Sequence, residues 1–136
     1  MMRKTHIAIG AVTTLVLIAD TNLGTIPSII GMAGCVAPDV DKKIRVKHRG
    51  ISHSLIIVAV LYILISILNK NIAIAFCINY LLHIIADCLT VMGCPLLFPF
   101  SNKNYGLKLF KTNGFIEKIV YIIILLVLIS VLYRLL

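Results

Sequence analysis

Long apolar stretches constrain this chain before anything else does. They run over residues 7–19, 26–37, 51–68, 72–92 and 115–136. A bilayer core of about 30 Å needs about 20 residues of helix at about 1.5 Å each, and the last three stretches approach that length and are expected to span. The first two fall short. Gly24, Pro27 and Gly31 around the second mark a tight turn followed by a helix starting near Pro27. The pair therefore reads either as two thin spans or as one re-entrant hairpin. In both cases the chain returns near Asp39 to the side it left near His6. With 60% hydrophobic and 13% charged residues among 136, an ordinary soluble globule is excluded. The expectation is an all-α integral membrane bundle of four to five transmembrane or re-entrant helices, a single domain over residues 1–136, with a polar cavity at one side.

The net charge of +8 fits nucleic acid, acidic lipid or membrane topology. The placement of the basic residues separates these. Arg3 and Lys4 precede the first stretch, Lys42, Lys43, Arg45, Lys47 and Arg49 follow the second, and Lys103, Lys108, Lys111 and Lys118 surround the loop after the fourth. All eleven fall on one side, leaving Lys70 and Arg134 for the other, so the positive-inside rule puts the N-terminus and both long loops in the cytoplasm of an inner-membrane, multi-pass protein. A nucleic-acid partner is the weaker reading, because orientation already requires these charges. A cleaved signal peptide is disfavoured: no small-x-small site follows Ala19, and cleavage would discard His6. Cys35, Cys77, Cys88 and Cys94 form no C-x-x-C pair and read as small buried hydrophobes.

Ionisable groups inside a membrane cost several kcal/mol and mark functional sites. His83 and Asp87, four apart in "NYLLHIIADCLT", share one face of a helix. Imidazole and carboxylate at that spacing suit one cation; they equally suit a hydrogen-bonded pair that pins two helices. A second cluster, "APDVDKKIRVKHRGISHSL", supplies Asp39, Asp41, His48, Arg49 and His53; alone, it also reads as a solvated loop with a helix cap. Topology favours ligation. His6, Asp39 with Asp41, His53 and the His83/Asp87 pair all arrive at segment ends on the cytoplasmic side, while Asp20 and Glu117 stand apart from this convergence. His83 is the awkward member, about nine residues from the end of its stretch and so roughly 13 Å deep, which requires a cavity between helices.

These motifs resemble the LexA-regulated, membrane-bound metal-dependent hydrolases of the YdjM family. The match runs in order through "TH" at Thr5 and His6, "PDVD" at 38–41, "HRGISHSL" at 48–55 and "LLHIIADCLTVMGCPLLFPF" at 81–100. It covers about residues 5–100 and leaves the C-terminal stretch outside. That family is distantly similar to zinc-dependent phospholipase C and the single-strand-specific zinc nucleases, all-helical enzymes with a His/Asp-lined metal cluster. The resemblance implies metal ligation by His6, Asp39, His53, His83 and Asp87, with Asp41 in a second site or outer shell. Two departures stand against a full three-metal cluster: no later His and Glu complete it, and the chain has no tryptophan.

The resemblance thus implies a hydrolase using one or two divalent ions, zinc foremost, on a phosphoester of lipid type presented at the cytoplasmic membrane surface. Asp39 is the candidate base, Arg49 can grip a phosphate through two parallel hydrogen bonds, and His48 either protonates a leaving group or faces solvent. Two rival classes stay open: a non-enzymatic membrane protein that binds or relays cations, and a membrane-anchored zinc nuclease with salt-sensitive nucleic-acid binding. Neither the substrate nor the oligomeric state is legible. The orientation is directly testable: a compartment-reporting tag at the N-terminus should read cytoplasmic, and a periplasmic readout would remove the basis of the convergence.

Overall fold

The computed structural model describes residues 1–42 and 50–136, with only the backbone for Asp41 and Lys42. Five α-helices follow in order: α1 Arg3–Asp20, α2 Thr25–Gly31, α3 Leu55–Leu68, α4 Lys70–Cys88 and α5 Phe115–Leu135. Short 3-10 turns occupy Met32–Cys35, Ala37–Lys42 and Ile51–His53. Among the described residues there is no strand, only isolated bridges pairing Thr90 with Phe110 and Cys94 with Tyr105. Over the described residues the fold is all-helical, as expected from the long apolar stretches.

Local chemistry decides where each helix starts. Asn69 ends α3 and opens α4, its side-chain oxygen accepting the Ile72 N–H at 3.0 Å. Ser54 caps α3 in the same way through Ile57 N–H. That cap shortens the third apolar stretch. The polar Ser52, His53 and Ser54 divert residues 51–54 into a turn, and the helix that remains has 14 residues, or roughly 21 Å. It is too short to span as expected. Pro27 sits in the first turn of α2, where its missing N–H costs no helical bond. With seven residues in α2 and four in the turn after it, this segment reaches roughly 18 Å, short of a bilayer core of about 30 Å. Two helices, α4 and α5, are long and apolar enough to cross a membrane.

Helix α4 is the centre. It packs against α1, α2 and α3, and nine of its side chains are buried. Register contacts show that α1 runs antiparallel to it: His6 stacks on His83, while the amide of Asn71 reaches the Leu23 carbonyl at 3.0 Å. Helix α5 runs parallel to α1, joined near one end by Thr5 and Glu117 and at the other by the exposed Arg134–Asp20 ion pair at 3.2 Å. Only Glu117 of α5 is buried. The exposed Ile122, Leu126 and Ile129 form an apolar exterior of the kind a bilayer covers.

The segment after α2 lies unusually close to α4. A Cβ on Gly31 would come within 2.4 Å of the Ala75 Cβ, and one on Gly34 within 2.2 Å of the Phe76 carbonyl oxygen. Both obstacles belong to the α4 main chain or its first side-chain carbon, so neither can swing aside. Substituting Gly34→Ala should therefore lower stability by about 1–3 kcal/mol through overpacking, read as earlier thermal unfolding in detergent; an unchanged transition would contradict this contact.

Candidate metal centre

The antiparallel packing of α1 on α4 brings the start of one helix to the end of the other. The 3-10 turns before and after residues 43–49 add their own side chains at that end. His6 comes from α1, Asp39 from the turn after α2, His53 from the turn before α3, and His83 with Asp87 from the last turns of α4. Four segments thus deliver five ligand-type side chains to one buried place. His6, His53, His83 and Asp87 are at most 1% exposed, and Asp39 is 9% exposed.

Asp87 is the hub. Its Oδ1 lies 3.2 Å from His6 Nε2 and its Oδ2 lies 3.4 Å from His53 Nε2. The Met1 amine also donates to Oδ1. His83 Nε2 stands 3.9 Å from Asp87 Oδ2 and 3.8 Å from Asp39 Oδ1. The rings are held in fixed attitudes: His6 lies parallel on His83 with centroids 3.7 Å apart, while His53 meets His83 edge-on at 5.4 Å. Ser52 Oγ, 2.9 Å from His53 Nδ1, orients the third ring.

The tautomer of His83 follows from one contact. Its Nδ1 is 2.7 Å from the Cys35 carbonyl oxygen, and a carbonyl only accepts, so Nδ1 carries the proton. In the neutral ring Nε2 then presents a lone pair. This nitrogen is buried without a hydrogen-bond partner, and it faces two carboxylates, groups that offer no proton of their own when ionised. A lone pair that faces carboxylate oxygens at 3.8 and 3.9 Å is a donor arrangement that a cation can bridge.

The spacing suits a metal ion. With ligand bonds of about 2.0–2.2 Å, neighbouring donor atoms of a tetrahedral site stand about 3.3–3.6 Å apart; the observed separations run from 3.2 to 3.9 Å. Two groups can close on an ion, His6 with His83 and Asp87, and Asp39 with His53 and His83, each with donor atoms within 4.8 Å of one another. These buried clusters could bind a metal. The His83–Cys35 bond fixes the ring in one orientation with Nε2 turned toward the carboxylates, as a ligating histidine would need.

The structure brings together five of the residues expected from sequence: His6, Asp39, His53, His83 and Asp87. The side chain of Asp41, and His48 and Arg49 entirely, lie outside the described residues. The expected depth of His83 is corrected. Helix α4 ends at Cys88 because the loop beyond turns back on it: Leu107 N–H bonds the Cys88 carbonyl at 2.8 Å, and Leu109 N–H the Leu89 carbonyl at 2.9 Å. His83 is five residues from that end, or about 7 Å. The four cysteines are free thiols, three of them buried, and none belongs to the metal-type groups found among the described residues.

Glu117 is the residue that sequence reasoning missed. It was expected to lie apart from the convergence, yet it is fully buried at the same end. Its carboxylate accepts the backbone N–H groups of Met2 and Asn113, and the Thr5 hydroxyl lies 3.5 Å away. One acid therefore holds the first turn of α5 to the start of α1, next to His6. Its only sequence signal was an acid in the first turn of an apolar helix, which ordinarily reads as a dipole contact.

A family model described as YdjM inner membrane protein matches residues 1–136, the whole chain. No curated protein and no solved structure matches it. The site makes a prediction about Glu117. Glu117→Ala strips two part-buried N–H groups of their acceptor, which should cost about 1 kcal/mol. The same change should weaken metal binding measured by titration, because His6 loses its anchor; unaltered metal affinity would show that α1 holds its place without this carboxylate.

Proposed function

The chain belongs to the YdjM inner membrane protein family, and from that premise we propose that it is a membrane-bound, metal-dependent hydrolase cleaving a lipid-type phosphoester at the cytoplasmic face. One observation carries the reading: the buried lone pair of His83, set by its bond to Cys35, faces Asp39 and Asp87 across a cation-sized gap. His6, Asp39, His53, His83 and Asp87 are the proposed ligands, and zinc is the proposed ion because the donors are imidazole and carboxylate. One ion is favoured over two, since both ligand groups share His83 and its single lone pair can serve one metal. Bound there, a divalent ion supplies Lewis acidity and an activated water.

The chain's own residues account for the rest. Asp39 is the most exposed of the five and is the residue proposed to take the water's proton. Asp87 places its two oxygens 3.2 Å from His6 Nε2 and 3.4 Å from His53 Nε2, so that one carboxylate faces both rings. Arg49 keeps the role expected from sequence, gripping phosphate, His48 either protonates the leaving group or faces solvent, and Asp41 stays a candidate for a second site or the outer shell.

A second reading, a cation or proton carrier, is favoured by a different observation. Thr14 Oγ and Asn79 Oδ1 are buried without hydrogen-bond partners. Asn79 lies beside Gly10, one turn inward from His6, and Thr14 lies a further turn along α1. Polar groups therefore continue from the cluster into the α1–α4 seam.

Protein purified in detergent without chelator should carry about one zinc or similar ion per chain by elemental analysis. His53→Ala and Asp87→Ala should each lose most of it while still inserting into membranes. The metal-loaded protein should release product from an extracted phospholipid pool, and Asp39→Asn should abolish that release. Full metal content in both ligand variants would sink the site. Persistent hydrolysis in Asp39→Asn would mark a contaminant, and proton flux in proteoliposomes without hydrolysis would install the carrier reading instead.

A further inference from the structure

Beside the His/Asp cluster, on another flank of α4, lies a cavity of about 430 Å³. Leu55, Leu81, Ile84, Cys88, Leu96 and Leu107 are among its lining residues. The cavity is built rather than incidental. The loop after α4 is strapped over it by paired backbone bonds between Cys94 and Tyr105, both 2.8 Å, and by Leu107 N–H on the Cys88 carbonyl. Leu55 N–H, bonded to the Leu96 carbonyl at 3.0 Å, fixes the first residue of α3 at the opposite wall.

Three properties select the occupant. The lining side chains are aliphatic apart from Cys88 and Tyr105, so the cavity has little with which to orient a polar ligand. Its volume, about 430 Å³, lies within the range of small-molecule pockets, about 300–1,000 Å³. Its rim is apolar and exposed at Leu55, Ile85 and Leu107, continuous with α4, which is long and apolar enough to cross a membrane. A flexible hydrocarbon chain entering from a bilayer meets all three conditions.

The cavity is also tied to the cluster through the chain itself. Ile84 and Cys88 directly follow His83 and Asp87 on α4, and Leu55 is two residues from His53. We infer that this cavity is the acyl-chain subsite of the metal centre: it holds one fatty-acyl chain of a phospholipid with its ester head directed to the His/Asp cluster. The inference rests on the hydrolase reading for its purpose and on the cavity for its existence.

Protein reconstituted into phosphatidylethanolamine and phosphatidylglycerol bilayers is doped with a phosphatidylcholine carrying a photoreactive acyl chain, irradiated, and mapped by mass spectrometry of labelled peptides. Label on residues 81–88 and at Leu107 should exceed label on Ile122, Leu126 and Ile129 of the exposed α5 face. Leu81→Trp and Cys88→Phe, which fill the cavity, should each lower the site's label about tenfold, the effect of displacing about two methylenes, with metal content unchanged. Equal labelling of α5, or label indifferent to both variants, overturns the proposal. If either variant fails to insert, the wild-type distribution decides. No turnover is needed for this readout, so a labelled cavity in a protein that hydrolyses nothing would remove the hydrolase reading alone.

Discussion

A single hydrogen bond, from the ring of His83 to the carbonyl of Cys35, governs the rest of the structure. It sets the tautomer that leaves a lone pair aimed at two carboxylates. It forms only because the segment after α2 can approach the α4 backbone at Gly31 and Gly34, where any side chain would hold the two apart. Close packing and site chemistry are therefore one constraint here. A glycine several residues from the nearest ligand acts on the donor set as surely as a histidine does, because it decides which nitrogen carries the proton.

The five clustered residues divide by the kind of information that locates them. His83 and Asp87 were legible as a pair, since helical spacing alone puts them on one face. His6, Asp39 and His53 were legible through topology: apolar stretches that alternate across a membrane return their polar ends to one side. Helix limits were less legible. Hydropathy ran on through Ile51 and Met92, while the chain stops α3 with a serine cap and ends α4 with backbone bonds from residues 107 and 109. Those bonds are non-local, and no window of sequence contains both partners. Glu117 was hidden for the same reason, because its donors lie at Met2, Thr5 and Asn113.

Electrostatics gives the bundle its order. Buried carboxylates are tolerated when their oxygens are filled by donors, and the two best-placed acids meet this in different ways. Glu117 is satisfied by backbone N–H groups and a hydroxyl, which makes it a clasp between helices. Asp87 is approached by histidines, whose lone pairs can exchange a proton for a metal ion. Similar carboxyl chemistry thus meets two different sets of donors, and the C-terminal helix, which carries none of the proposed ligands, steadies the first of them.

The shortness of α3 has a consequence for what stands beside α4. Helices α3 and α4 meet at Asn69, so their inequality of 14 against 19 residues is expressed wholly at the end bearing the histidines. Helix α3 begins about level with His83, about 7 Å short of the end of α4. That length is taken up by the turn Ile51–His53, with Leu55 N–H held on the Leu96 carbonyl and the Tyr80 hydroxyl on the Ser52 carbonyl. A helix that stops early thus lets an imidazole, in place of an aliphatic side chain, occupy the flank of α4 beside Asp87.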